Sequence, residues 1–269
     1  MSKVVVITGA ARGIGLATAR AVKDKGAVVV IGDIDEAAVT EAAESLGVTG
    51  FTVDVTSRAS FTAFLGAAEE AAGPIDVLIN NAGIMPIGPV ADESDADARR
   101  CVDINVHGVM LGTKLALDRM LPRGRGHVIN MASVAGLTFT PGLALYSASK
   151  AAVVAFTEAA RLEVQGRGVH VSAVLPTFTN TELIAGTRNP KGMRNREPEE
   201  IAAAVVELIG RPRPQAIVPH KLGRQIRLGA LFPDRVRQAI ARRYGLDTIF
   251  LDFDAGARKS YDARIRTGD

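Results

Sequence analysis

Seven short runs rich in β-branched residues recur along this chain, and longer stretches with helical periodicity lie between them. The runs fall near residues 3–8, 27–32, 49–54, 75–80, 126–131, 169–175 and 214–218. The helical stretches fall near residues 13–25, 35–46, 57–72, 94–121, 146–166 and 198–209. Several runs are apolar throughout, which is typical of strands covered on both faces. The alternation predicts an α/β fold: a doubly wound, parallel, seven-stranded sheet with helices on both faces.

The charge distribution indicates one main domain followed by a different C-terminal part. A chain of 269 residues fits one large α/β domain or two small ones. Residues 211–269 contain 13 Lys or Arg and 6 Asp or Glu. The whole chain contains 32 Lys or Arg and 29 Asp or Glu, so residues 1–210 contain 19 basic and 23 acidic residues. We predict a domain over residues 1–210, then the last strand and a basic, amphipathic, helical extension over residues 211–269.

The composition disfavours several classes of protein. Cys101 is the single cysteine, so an internal disulfide is impossible and a reducing compartment, the cytoplasm, is expected. No secretory signal and no charge-free run of ~18 apolar residues is present, so no membrane span is predicted. The basic tail has no nucleic-acid-reading motif, so no nucleic-acid partner is expected. No metal site is expected either, because the histidines share no ligand spacing with Cys101 or with carboxylates: His107, His127, His170 and His220.

The segment TGAARGIG, residues 8–15, follows the first predicted strand and opens the first predicted helix. Its three glycines allow a tight turn and close approach to a phosphate, and the helix N-terminus adds unpaired N–H groups and partial positive charge. Glycine turns that bind nothing are common, but this one has the strand–turn–helix context, and Asp33 closes the second strand. The segment therefore predicts a dinucleotide site. The residues of the turn assigned to the cofactor are Gly9, Arg12, Gly13, Ile14 and Gly15.

Asp33 also bears on which dinucleotide is bound. Its carboxylate can accept hydrogen bonds from a ribose diol and would repel a 2′-phosphate, by ~4 kcal/mol at ~4 Å and a surface-like dielectric. Arg12 acts in the opposite direction, since it could reach that phosphate. We judge the carboxylate the stronger influence and predict NAD rather than NADP. A helix N-cap, the alternative role for Asp33, suits Asp35 better.

Tyr146 and Lys150 stand four apart in the helical stretch ALYSASKAAVVAFTEAARL, residues 144–162. A free tyrosine has a pKa near ~10 and is a poor base at neutral pH. Lys150 lies on the same helical face, where its ammonium favours the phenolate. Tyr146 is therefore a candidate acid/base. A simple surface contact between the two side chains is the alternative.

Five motifs together resemble the short-chain dehydrogenase/reductase family. They are TGAARGIG, NNAG at 80–83, Asn105 in DINVHG, Ser133 in INMASVAG, and YSASK at 146–150. They occur in the family's order over residues 3 to about 210. The resemblance implies a Rossmann-like fold, nicotinamide-dependent oxidation or reduction, and an oligomer. It also implies four catalytic residues: Asn105, Ser133, Tyr146 and Lys150.

Each of these four residues has an expected role. Tyr146 exchanges a proton with the alcohol oxygen, and Ser133 holds the same oxygen. Lys150 also holds the nicotinamide ribose, and Asn105 holds a water that carries protons from Lys150 to solvent. Further cofactor contacts implied by the resemblance are Asp54, Val55, Asn81, Ala82, Gly83, Pro176, Thr181 and, more weakly, Thr179. The chain departs from the family at Thr177, where a glycine usually follows the proline, so a stiffer backbone is expected there.

The substrate is expected over the nicotinamide, at the carboxyl edge of the sheet. Candidate walls are residues 84–90, residues 135–145 and the loop 183–197, which we interpret as a lid. The apolar wall residues are Ile84, Met85, Ile87, Leu137, Phe139, Leu143 and Leu145. They favour a hydrophobic secondary alcohol or ketone, although packing in the core explains them almost equally well.

The basic stretch 219–243 has two interpretations. It docks its apolar face on the domain and roofs the cleft, which we favour, or it lies on an anionic membrane surface. The helical stretches 94–121 and 146–166 are apolar on more than one face, which predicts a homodimer or homotetramer.

Three functions fit the sequence. The first is an NAD-dependent oxidoreductase of a hydrophobic secondary alcohol. The second is a reductase of an acyl-thioester-bound ketone. The third is a non-catalytic dinucleotide-binding scaffold, which has no need of Tyr146, Lys150 and Ser133 together.

Overall fold

A single parallel sheet of seven strands organises the computed structural model, which describes residues 2–192, 194–229 and 231–266. The strands are β1 (Val4–Thr8), β2 (Val28–Asp33), β3 (Thr49–Thr52), β4 (Val77–Asn80), β5 (Gly126–Met131), β6 (Val169–Pro176) and β7 (Gln215–Val218). Their order is β3-β2-β1-β4-β5-β6-β7, so the winding reverses between β1 and β4. The predicted doubly wound, seven-stranded sheet is confirmed. Ligands bind at the carboxyl edge beside such a reversal.

Helices cover both faces of the sheet. They are α1 (Gly13–Asp24), α2 (Glu36–Leu46), α3 (Arg58–Ala72), α4 (Asp95–Val102), α5 (Gly108–Met120), α6 (Ala144–Glu163), α7 (Pro198–Gly210), α8 (His220–Gly229), α9 (Asp234–Tyr244) and α10 (Ala255–Ile265). One core layer joins the sheet to α1, α2 and α7, and the opposite layer joins it to α3, α5 and α6.

The first strand shows why the sheet's sequence runs are apolar throughout. Successive side chains of a strand point to opposite faces. Val5 and Ile7 enter one core layer, and Val4 and Val6 enter the other. All five residues of β1 are buried, so each position needs an apolar or well-paired side chain.

The helical stretch predicted over residues 94–121 is not one regular helix. It consists of α4, a π-helical turn at Asp103–His107, and α5. A π turn inserts one extra residue into the helical repeat and often lies at a functional site. The hydrophobic periodicity does not show this insertion, because apolar residues continue on both sides of it.

The described residues of the basic stretch 219–243 do not line the cleft, so the roofing part of the interpretation that we favoured is wrong, although part of the stretch does dock on the domain. Helix α8 packs on β7, where a Cβ added at Gly223 would lie 3.0 Å from Ile217. None of the residues of α9, all of which the structure describes, is buried. The tail residues that line the cleft come later and are buried: Phe250, Tyr261 and Ile265. Ile249 and Arg258 of the same tail are buried without lining it. Within the described ranges, no helix has the length and apolarity needed to cross a membrane.

Candidate active site

The carboxyl ends of the strands open onto one cleft with a cavity of about 740 Å³. The predicted site residues that line it are Gly9, Arg12, Gly13, Ile14, Asp33, Asp54, Val55, Asn81, Ala82, Gly83, Ser133, Tyr146, Lys150, Pro176, Thr179 and Thr181. Gly15 and Asn105 do not line the cavity, and both are buried. Residues far apart in the sequence thus meet at one edge of the sheet.

The glycine turn after β1 packs directly against the segment after β4. A Cβ at Gly9, whose φ is +63°, would lie 2.6 Å from the Cα of Ala82. A Cβ at Gly15 would lie 2.3 Å from the carbonyl oxygen of Gly9. The Asn81 amide nitrogen donates to the carbonyl oxygens of Thr8, at 3.0 Å, and Gly9, at 2.7 Å. Only glycine permits this close packing at positions 9 and 15. Because Gly9 has no side chain, its backbone is exposed to the cavity.

Asp33 and Asp35 have different environments at the end of β2. Asp33 accepts backbone hydrogen bonds from Ala11, at 3.1 Å, and from Asp35, at 3.3 Å, and it lines the cavity. Asp35 is the N-cap of α2, where it accepts from the backbone of Ala38, and it pairs with Arg12 at 2.6 Å. The Ala38 hydrogen bond, and then the Arg12 guanidinium, lower the pKa of Asp35. Arg12 is therefore already engaged by a carboxylate.

Tyr146 and Lys150 are both almost completely buried on α6. The Lys150 Nζ atom lies 5.7 Å from the centroid of the Tyr146 ring and donates to the carbonyl oxygen of Met131 at 2.8 Å. Burial raises the pKa of Tyr146 to about 12, and the neighbouring Ser133 hydroxyl only partly offsets this. Burial also lowers the pKa of Lys150 to about 8. In the protein without a cofactor, burial therefore raises the pKa of the Tyr146 phenol, and this effect is larger than the lowering that we expected from the Lys150 ammonium.

Ser133 lies between the end of β5 and the end of β6. Its Oγ atom accepts from the backbone of Ala135 at 3.1 Å and donates to the carbonyl oxygen of Pro176 at 3.4 Å. The side chain is buried. These contacts fix the hydroxyl at the cavity wall, where it can orient a second oxygen atom.

Asn105 lies within the π-helical turn and is fully buried. Its Oδ1 atom accepts from the backbone of Ile84 at 2.8 Å, and its Nδ2 atom donates to the Ile84 carbonyl at 2.8 Å and to Ser149 Oγ at 3.0 Å. The side chain thus holds the segment after β4 in place. A proton relay through a water at Asn105 stays a prediction.

The segment after β6 closes the cleft opposite the glycine turn. A Cβ at Gly13 would lie 3.4 Å from Thr181 Cγ2. The Thr179 hydroxyl donates to the Thr177 carbonyl at 2.8 Å, and the backbone of Thr177 donates to the carbonyl oxygen of Val218 at 3.2 Å. Thr177 therefore extends the pairing of β6 with β7 by one residue. An extended residue in this pairing does not require glycine.

The substrate end of the cavity contains only part of the apolar wall predicted from sequence. Ile84, Met85 and Leu143 line it, whereas Phe139 is 77% exposed. Ile87 is buried in the cluster behind the cavity, and Leu137 packs in another core cluster. The residues that we missed are Phe178, Phe250 and Tyr261, of which the first two stack with ring centroids 5.7 Å apart. The apolar run TIFLDF at 248–253 was the available signal.

The loop 183–197 combines cavity contacts with internal hydrogen bonds. Leu183 and Ile184 line the cavity. Further along, the Asn195 amide donates to Asn180 at 2.8 Å and to Asn189 at 2.7 Å. The loop therefore supplies a wall at its start and a hydrogen-bonded base at its end. Its position 193 lies outside the described residues.

The buried His127 is hydrogen-bonded to a serine of the neighbouring strand. His127 lies on β5 with its Nε2 atom 2.8 Å from Ser172 Oγ, and burial lowers its pKa to about 3. Across the three described ranges, no group of three or more His, Cys, Asp or Glu is arranged to hold a metal ion.

The winding of the parallel sheet reverses beside a glycine turn, and a tyrosine, a serine and a lysine are buried at the same edge. Together these features define a class of dinucleotide-dependent proteins. Within that class, the family model for short chain dehydrogenases matches residues 3–192. The chain belongs to the short-chain dehydrogenase/reductase family of oxidoreductases. The family match ends before β7 and the C-terminal helices, so those parts are not described by it.

Several named proteins and solved structures are similar to this chain. A 2-(S)-hydroxypropyl-CoM dehydrogenase of Xanthobacter autotrophicus is 38% identical over 228 residues, 77% of this chain and 89% of that protein. A meso-2,3-butanediol dehydrogenase of Serratia marcescens is 37% identical over 221 residues, 77% and 87% of the two chains. A short-chain dehydrogenase/reductase of Burkholderia phymatum, solved with NAD, has a TM-score of 0.78 at 28% identity and covers 90% of this chain and 95% of that one.

Proposed function

We propose that this protein is an NAD-dependent oxidoreductase that interconverts a hydrophobic secondary alcohol and its ketone, with Tyr146 as the acid/base. The observation that carries the proposal is the group of Ser133, Tyr146 and Lys150, all buried at one wall of the cleft that begins at the glycine turn. The names of the similar proteins support it, because hydroxypropyl-CoM and 2,3-butanediol are both secondary alcohols.

The residues of the chain perform the proton chemistry. A nicotinamide dinucleotide, when bound, takes up or supplies the hydride, and its oxidised ring adds a positive charge that favours a phenolate. Tyr146 takes the proton of the alcohol, or returns it to the ketone oxygen. The Ser133 hydroxyl turns its one proton from the Pro176 carbonyl, 3.4 Å away, to the same oxygen and orients it. Lys150 keeps a cation near the phenol, and the buried setting strengthens its influence because water does not screen it.

The direct test of the function is a panel of secondary alcohols and ketones, followed by the absorbance of the reduced cofactor. We expect turnover with apolar members of the panel and NAD. An acetoacetyl thioester serves as a further substrate, since arginines at the cavity edge could meet the phosphates of its carrier: Arg99, Arg100 and Arg264. Preference for the thioester would favour the second function, and tight NAD binding without any turnover would favour a scaffold.

Asp33 is proposed to set the preference for NAD. We expect Asp33→Asn to lower the ratio of the NADP dissociation constant to the NAD dissociation constant by at least about tenfold. Removing the charge near the ribose relieves a repulsion of a few kcal/mol between the carboxylate and the 2′-phosphate. Titration calorimetry with both dinucleotides measures the ratio. Asp54→Asn, which removes a cavity-lining charge at the end of a different strand, is the matched control. Tighter binding of NADP than NAD by the unmodified protein would contradict the assignment.

We also propose a homodimer or homotetramer, with a cytoplasmic location. The single subunit already buries Val106, Val109 and Val153, which are apolar residues of the two helical stretches 94–121 and 146–166. Val102 and Leu162 stay exposed, at 39% and 54%. These outer faces of the α4–α5 and α6 helices are the surface offered to a second subunit, and light scattering measures the resulting mass.

A further inference from the structure

Arg258 of α10 is a fully buried arginine that holds two segments of the cavity wall together. Its exposed fraction is 0%. Its Nη1 atom donates to the carbonyl oxygens of Leu183, at 2.7 Å, and Ala185, at 3.3 Å, and its Nη2 atom donates to that of Met85. Asp262 pairs with its Nε atom at 2.9 Å. A buried guanidinium is destabilising unless its donors are satisfied. These bonds therefore make α10 a fixed part of the cavity rather than a loose tail.

Tyr261 lies one turn further along α10, under the same guanidinium. The Arg258 Cζ atom lies 4.6 Å from the centroid of its ring. The Tyr261 side chain is 5% exposed and lines the cavity that also contains Tyr146. Its hydroxyl oxygen accepts a hydrogen bond from the backbone of Met85 at 2.9 Å. Burial raises the pKa of Tyr261, so the hydroxyl keeps its proton at neutral pH.

The proton of the Tyr261 hydroxyl has no acceptor within the part of the chain that the structure describes. A phenol oxygen carries one hydrogen-bond donor and can also accept a hydrogen bond. Here the protein uses only its ability to accept. A buried donor left unpaired is destabilising, and such donors are usually satisfied by a ligand or water. The surrounding wall is apolar, with Met85, Leu143 and Phe250 in one cluster. A single donor in an apolar wall selects for one polar atom at a defined place on a ligand.

We propose that Tyr261 is a specificity-determining residue that donates a hydrogen bond to a second oxygen of the substrate. Arg258 is the positioning residue that holds Tyr261 and Met85 in place. The inference rests on the proposed function and names its substrate class: an apolar secondary alcohol or ketone that carries one further hydroxyl, ether or carbonyl oxygen.

The test compares a parent ketone with matched ketones that carry a second oxygen one to four carbons from the carbonyl. We expect the unmodified protein to favour at least one oxygen-bearing member in kcat/KM. Tyr261→Phe should reduce that preference by about three- to tenfold, the effect of one neutral hydrogen bond, mainly through KM. Tyr244→Phe, on exposed α9, is the control and should leave the preference unchanged.

The variant also removes the acceptor used by Met85, so a purely structural role must be distinguished. A structural role would lower kcat/KM equally for the parent ketone and its oxygen-bearing analogues, and that result would overturn the proposal. Calorimetric binding of the same ketones requires no turnover. If the unmodified protein binds an oxygen-bearing ketone more tightly than the parent ketone and Tyr261→Phe loses this preference, the inference is supported even when the panel shows no oxidoreductase activity. Failure of the inference can therefore be distinguished from failure of the proposed function.

A second inference comes from a different surface, the basic apolar face formed by the described residues of 219–244, which are residues 219–229 and 231–244. Its large apolar side chains are exposed by 37% to 80%, and they are Leu228, Leu231, Phe232, Val236, Ile240 and Tyr244. Val236, Ile240 and Tyr244 are spaced by four, so they share one face of α9. The same residues 219–244 include seven Lys or Arg and one Asp.

We infer that this face binds an anionic lipid surface. Apolar side chains flanked by arginines are the pattern of helices that lie in a membrane interface. In a symmetric dimer the same face would meet itself, and its excess of positive charge would oppose that contact. The face also contacts the loop 183–197, whose first two residues line the cavity, because the backbone of Lys191 donates to the carbonyl oxygen of Tyr244 at 3.0 Å. A lipid surface there would lie beside the loop that bounds an apolar substrate site.

Vesicle flotation tests this inference with phosphatidylserine–phosphatidylcholine vesicles and with phosphatidylcholine alone. We expect binding that requires phosphatidylserine and weakens with salt. The pair Val236→Ser and Ile240→Ser should weaken it by at least about tenfold. Val90→Ser, at a residue 65% exposed elsewhere, is the control. Absence of phosphatidylserine-dependent binding, or a lower molar mass of the double variant by light scattering, would show that the face has another role.

Discussion

Replacing Tyr146 with Phe is expected to lower kcat by about a thousandfold or more while leaving the dissociation constant of NAD within about twofold. General acid/base catalysis contributes ~10²–10⁴-fold, and Tyr146 presents its ionisable hydroxyl beside Ser133 at the cavity wall. The phenyl ring remains in its apolar cluster with Met85, Ile87 and Leu143, so the fold should be unaffected. An interaction made in the transition state lowers kcat and kcat/KM together.

Two measurements separate this outcome from a packing defect. The change in melting temperature of Tyr146→Phe should be small, and calorimetry should still detect NAD. Ser133→Ala, which keeps Tyr146 but removes the partner hydroxyl, should lose less activity, about a hundredfold. Turnover by Tyr146→Phe close to that of the unmodified protein would remove the basis of the proposed function.

Replacing Lys150 with Met is expected to abolish turnover and also to stabilise the fold at neutral pH. Burial lowers the pKa of Lys150 to about 8 from its ordinary value of 10.5. This shift corresponds to a destabilisation of roughly 3 kcal/mol while the amine is charged. Loss of the hydrogen bond to the Met131 carbonyl offsets about 1–2 kcal/mol of that. The melting temperature should therefore rise by about 2–8 °C, while the acid/base tyrosine loses its neighbouring cation.

The pH dependence gives the sign of this effect independently. Since the folded pKa lies below the unfolded one, the unfolded chain binds more protons between pH 8 and 10.5, and the Lys150 contribution to stability rises with pH across that window. The advantage of Lys150→Met should therefore shrink between pH 7 and pH 9.5. Circular dichroism melts at both pH values measure it, with Lys114→Met on the exposed side of α5 as the control. An advantage that stays constant with pH would mean that Lys150 is not a buried charge.

The parts of the molecule that were predictable share a physical basis. A strand between two helix layers must be apolar on both faces, so a run such as β1 can be recognised as a strand from its sequence. A turn that must approach another backbone needs glycine, so Gly9 and Gly15 mark the cofactor end. The predicted residues Asp33, Ser133, Tyr146 and Lys150 do lie on one cavity. Their assigned roles, and the division of the chain near residue 211, stay predictions.

The amino-acid sequence alone determined the sheet, its covering layers and the family of this protein, because periodicity and local motifs depend on residues close together in the chain. Only the tertiary structure decided what closes the substrate end. Tyr261 and Arg258 reach Met85 across more than 170 intervening residues, and the π-helical turn orients Asn105 toward Ile84. Burial decided the protonation of Tyr146 and Lys150 for the same reason. A pKa depends on everything packed around a group, and spacing along the chain does not reveal those neighbours.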